Sequence, residues 1–86
     1  MMAVLTIAER KWVEKVNKIL AQCPSKRIAF ATTGDCCVTL FDVTRYHEIC
    51  EAVDNGGSDF IPSADGIGAV FDEVLKFPNQ VESTAG

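Results

Sequence analysis

The sequence predicts a single small α+β domain, in the order α-β-β-α-α, with an antiparallel β-hairpin packed against helices. Three observations carry that expectation. The first thirty residues hold a capped, amphipathic helical pattern, the next stretch reads as two β-prone runs around Gly34-Asp35, and two shorter apolar stripes follow at helical spacing. The 86 residues are the length of one domain.

The first helix begins at Thr6-Ile7-Ala8-Glu9, a capping box in which the threonine hydroxyl meets the Glu9 amide and the glutamate reaches back. Ala8, Trp12, Val16, Ile19 and Cys23 recur on one side, widened by Val13 and Leu20, and form the expected inner stripe. Glu14 and Lys18 are spaced for an i,i+4 pair. Pro24 ends the helix, because the residue before a proline is pushed out of helical geometry.

"RIAFATTGDCCVTLFD" reads as the hairpin, with Gly34 suited to a tight turn. A two- or four-residue loop would place Ile28, Phe30 and Thr32 on one face with Cys37, Thr39 and Phe41. Ala29, Ala31 and Thr33 would then share the other face with Cys36, Val38 and Leu40. A ribbon apolar on both faces needs cover on both sides, and its edges invite strand pairing. A homodimer is therefore expected, with Ala29, Ala31, Val38 and Leu40 as the dimer hairpin.

The second helix is expected from Thr44 to Asp54, capped by Asp42 or Thr44 and stopped by Asn55-Gly56-Gly57. Its inner stripe is Val43, Tyr46, Ile49, Cys50 and Val53. "GGSDFIPSADG" reads as a loop. Ser63 or Asp65 then caps a third helix with the stripe Ile67, Val70, Phe71, Val74 and Leu75, closed by Phe77-Pro78. The domain is expected to span 1–78, and 79–86 to form a flexible tail.

Apolar residues make up 48% of the chain and charged ones 23%, enough for a core and ordinary in charge. No apolar run approaches the length of a membrane span, and "MMAVLTIAER" has no basic segment of a secretory signal. A cytoplasmic protein with reduced cysteines and no membrane association is expected. Charge is uneven. Residues 1–27 hold six basic groups against two acids, a balance of +4, while residues 28–86 hold two against ten, a balance of −8. Such asymmetry steers partners.

Three of the four cysteines and the only histidine fall within "GDCCVTLFDVTRYHEIC". Zinc ligands usually come in close pairs such as C-x2-C, whereas Cys36 and Cys37 are adjacent in a predicted strand and point to opposite faces. His47 and Cys50 could share an ion from one helix face, with Cys37 or Asp42 completing it. Cys23 and Cys50 lie on apolar stripes, where free cysteine behaves as a small hydrophobe. Core filler is the expected role for Cys23, Cys50 and at least one of the vicinal pair. The glycine-rich "GGSDFIPSADGIG" lacks the Lys-Ser/Thr of a P-loop and the ligand pattern of an EF-hand, so turn chemistry accounts for it.

"CPSKRIAFATTGD", the following "FD" and the terminal "STAG" resemble small accessory proteins of bacteriophages and prophages. The resemblance spans residues 23–42 and the tail. It brings no catalytic residues and implies a bacterial cytoplasm and a role exerted on a host or phage component.

The reading that results is a non-catalytic interaction protein, adaptor- or inhibitor-like, without cofactor or metal, homodimeric and bound to a further protein. Its interaction surface would be either Arg10, Lys11, Lys15 and Lys18 on the first helix or Glu48, Glu51 and Asp54 on the second. One alternative is a nucleic-acid-binding module using the basic face of the first helix. A second is a thiol or metal site around Cys36, Cys37, His47 and Cys50.

Overall fold

The computed structural model describes residues 3–33 and 36–82. The predicted turn at Gly34-Asp35 and the end of the predicted tail, 83–86, lie outside them. The chain is a mixed α+β domain. Its elements are α1 (Ile7–Ala21), β1 (Ile28–Ala31), β2 (Cys37–Asp42), a 3-10 turn (Val43–Arg45), α2 (Tyr46–Gly56), α3 (Phe60–Gly66) and β3 (Val70–Lys76).

The capping box forms at the start of α1: the Glu9 amide donates to Thr6 Oγ1 at 3.1 Å, and the Thr6 amide donates to Glu9 Oε1 at 2.7 Å. The helix ends at Gln22, whose N–H donates to the Lys18 and Ile19 carbonyls. The Arg27 amide then donates to Ser25 Oγ at 3.1 Å, shaping the link into β1.

The sheet is antiparallel, ordered β1-β2-β3, with β2 in the centre. Asp42 closes β2 and starts the next turn, its Oδ1 accepting from the Thr44 amide at 3.1 Å. Helix α2 stops at Gly57, which adopts φ 69° and donates its N–H to the Val53 carbonyl. That left-handed conformation suits glycine because any Cβ would crowd the backbone.

Helix α3 and strand β3 both depart from the expected order. Residues 60–66, read as loop, form a helix, since Pro62 sits in its first turn where a missing N–H costs nothing. Residues 70–76, read as helix, form a strand. Their apolar-apolar-polar-polar spacing satisfies a helical stripe, but it also satisfies a strand. Val70 and Val74 then meet Phe41 and Thr39, and the register shifts between them. Pairing with the open edge of β2 decides between the two, a long-range term that periodicity does not contain.

The hairpin register also differs from expectation. Ala29 lies opposite Phe41 and Ala31 opposite Thr39, while Ile28 and Phe30 lie opposite Asp42 and Leu40. The predicted dimer set Ala29, Ala31, Val38 and Leu40 is therefore split: the alanines face the helices, and Val38 and Leu40 face away. A register change of one residue moves every side chain of a strand to the other face.

Phe41, Ile49, Ala64 and Ala69 form the core, with Ala29, Ala31, Phe60, Ile67 and Val70 packed around it. The Phe60 ring meets Phe41 edge-on at 5.0 Å and Tyr46 at 5.9 Å. Backbone bonds tie the layers together: Ala69 N–H donates to the Ala64 carbonyl at 2.9 Å, and Asp42 N–H donates to the Ala69 carbonyl at 2.8 Å. Ile49 is the one large side chain fully withdrawn from solvent among the described residues. Ile49→Ala is expected to lower stability by about 2–5 kcal/mol, measured by urea unfolding, because the cavity has no second layer to collapse onto.

Candidate functional site

Helix α1 stands apart from this core. Every residue of it is exposed except Val13 and Val16, which are half-buried. The stripe expected to face inward is therefore covered by the described residues only in part, at Val13 and Val16, with Trp12 at 60% and Ile19 at 67% exposure. Its nearest neighbours are Leu75, Lys76, Phe77 and Pro78, which with Trp12, Val16, Ile19 and Leu20 line an open cleft of about 270 Å³. The molecule is correspondingly long, 49 × 32 × 20 Å with a radius of gyration of 15.8 Å. A compact chain of this length has a radius of gyration of about 12 Å.

The sheet also has a face that neither α2 nor α3 covers. Helices α2 and α3 cover the side carrying Phe41 and Val70. By strand alternation, Ile28, Phe30, Val38, Leu40, Phe71 and Leu75 lie on the reverse side, where Phe30 is exposed and the other five are half-buried. Phe71 carries the Arg27 guanidinium over its ring at 4.9 Å, and Arg27 also approaches Asp42 at 3.6 Å. Leu75 belongs both to this face and to the cleft beside α1, so the two apolar surfaces are continuous.

The charged candidates separate cleanly. Arg10, Lys11, Lys15 and Lys18 are all exposed on α1, and none forms an ion pair with a described residue. The Glu14–Lys18 pair expected from spacing does not form. On α2, Glu48 is held by Arg45 at 2.9 Å and Glu51 by His47 at 3.0 Å, while Asp54 is exposed. The hydrogen bond from Arg45 lowers the Glu48 pKa, and the same bond raises that of Arg45. Two of the three predicted acidic residues are thus engaged, by Arg45 of the 3-10 turn and by His47 of α2, whereas the four basic side chains form no ion pair with a described residue.

The cysteines correct an expectation. Cys23, Cys36 and Cys37 are exposed and only Cys50 is half-buried, so core filler describes at most Cys50. Cys23 falls beyond the end of α1, its thiol donating to the Ser25 carbonyl at 3.4 Å. Cys37 sits opposite Lys76 at the end of the sheet furthest from Phe41. The neighbouring Cys50 side chain raises the Tyr46 pKa. No three His, Cys, Asp or Glu side chains among the described residues are grouped as a metal ion requires. His47 turns to Glu51 rather than to a thiol. Nor is any described helix long and apolar enough to cross a membrane.

Sequence reasoning named the members of the α1 stripe but assigned them to a core. It missed the bare sheet face, because that face exists only once β3 joins the sheet. The comparisons add no relative: no family model, curated protein or solved structure matches this chain.

Two outcomes follow from this geometry. A thiol reagent is expected to label Cys23, Cys36 and Cys37 quickly and Cys50 slowly, followed by mass spectrometry. Hydrogen bonds from Thr44, and then the charges of Arg27 and Arg45, lower the Asp42 pKa from the ordinary carboxylate value. Its stabilising contribution is therefore full above that value and lost as pH falls through the folded-state pKa. Asp42→Asn is expected to reduce the stability lost between pH 5 and pH 2 in acid titrations followed by circular dichroism.

Proposed function

We propose that this chain is a non-catalytic protein-interaction module, adaptor- or inhibitor-like, that recognises its target through the apolar stripe of α1 and the adjoining sheet face. The observation that carries the reading is the exposure of Trp12, Ile19 and Leu20 on a helix that the chain caps but does not cover. Isolated helices of about this length are marginal in water, and most helical stability in proteins comes from packing an amphipathic face. A helix so built is completed by a groove on something else. Lys11, Lys15 and Lys18 run beside the stripe, which favours a target with acidic groups along the groove. The resemblance to phage accessory proteins points to a host or phage component in a bacterial cytoplasm.

The direct test is capture with the purified chain beside Trp12→Asp/Ile19→Asp, a double variant that leaves the buried core untouched. Specific partners are expected on the first and lost from the second. Identical capture by both would overturn the reading.

One observation favours a second reading, a nucleic-acid-binding module: four cations on an outstanding helix, free of ion pairs with described residues. It requires duplex binding that weakens steeply with salt and is lost on Lys11→Gln/Lys15→Gln/Lys18→Gln. Salt-insensitive or absent binding removes it.

A further inference from the structure

We infer that the occupant of this surface is a second copy of the chain, the two exchanging helices so that each α1 lies across the bare sheet face of its partner. The inference rests on the reading of α1 and the sheet face as an interaction surface, and it names what completes them.

The surface area is the first argument. The chain exposes 7061 Å². A compact monomer of 9.3 kDa exposes about 5000 Å². The excess is roughly 2000 Å² per chain, whereas a standard interface needs about 800 Å² from each side and obligate dimers bury roughly 2000–5000 Å² in total. A second copy brings surface of the right size and the same apolar character.

Charge is the second. Helix α1 and its linker, within residues 1–27, carry a balance of +4, and residues 28–86 carry −8. Stripe-to-stripe pairing of two α1 helices would bring Lys11, Lys15 and Lys18 of each near those of the other. Helix-on-sheet exchange instead keeps the two basic helices apart and brings each, twice about a two-fold axis, to a body of opposite net charge whose acids on α2 and α3 lie on the other side of the sheet.

Dimensions are the third. The 15 residues of α1 span about 22 Å, and the seven of β3 span about 23 Å. The helix therefore matches the long edge of the face it would cover. The chain's own linker works against folding back, since Arg27, which begins the path into β1, sits over Phe71 and against Asp42 at one end of that face.

The test uses the full-length chain across a concentration series, with mass from light scattering and acrylamide quenching of Trp12, the only tryptophan. The expected result is a dimer at micromolar concentration in which Trp12 is shielded, becoming quenchable on dilution. Trp12→Asp, which spoils the helix, and Phe30→Asp, which spoils the sheet face, should each raise the dimer dissociation constant about 30-fold or more. Phe30→Ser serves as a milder face variant, and circular dichroism checks that each variant folds. Mixing the helix variant with the face variant restores one intact helix-on-sheet contact, so a heterodimer should form where neither variant dimerises alone. A dimer whose variants show no such rescue overturns the exchange. A monomer with freely quenched Trp12 also overturns it, leaving the protein-interaction reading in place. A monomer with shielded Trp12 means α1 has folded onto its own sheet, and both readings fall.

Discussion

Covering one face of the sheet is the constraint on which the rest of this structure depends. Strand β2 lies in the centre, and Phe41 points from it beneath α2 and α3, where it meets Phe60 and packs with Ile49. The other core members, Ala64 and Ala69, are small, which lets α3 and the start of β3 approach closely enough for the Ala69–Ala64 backbone bond. That bond hands over to the Asp42–Ala69 bond, so α3, β3 and β2 are locked by neighbouring main-chain contacts. Asp42 then starts the 3-10 turn through Thr44, and the turn delivers α2 onto Phe41. One ring and one isoleucine thus organise two helices and three strands.

Two packed layers are the minimum for such a domain, and this one has them on one side only. A three-stranded sheet with apolar residues on both faces calls for a third layer. The chain possesses a helix suited to that role, capped at its start and striped along its length, yet sets it beside the sheet's end rather than across it. The same separation divides the charge, with the basic groups on the outlying helix and the acids on the body. Shape, hydrophobic surface and electrostatics thus share one boundary, near the Gln22–Arg27 link.

The exposed thiols illustrate how position overrides residue type. Cysteine behaves as a small hydrophobe where a stripe is covered, and Cys50 on α2 shows this in part. Cys23 lies on the continuation of an equally apolar stripe, but the helix ends before reaching it and only Val13 and Val16 of the stripe are half-buried. Cys36 and Cys37 precede the part of β2 that the helices cover. Three cysteines thus meet solvent for reasons of chain placement, not of local sequence.

Local chemistry was legible in the sequence by itself. The Thr6–Glu9 capping box, the stop before Pro24, the existence of the hairpin, the α2 stripe centred on Ile49 and the Gly57 stop all follow from interactions within a few residues. They hold wherever the segment lies. Tertiary structure alone decided the remainder. Val70-Phe71-Asp72-Glu73-Val74-Leu75 satisfies two periodicities, and only pairing with β2 selects the strand. The face shared by Ala29 and Phe41 depends on loop parity, which one residue reverses. Whether the stripe holding Trp12 and Ile19 is core or surface depends on where the 22–27 link points the helix, because amphipathicity states that a face needs cover without stating what supplies it.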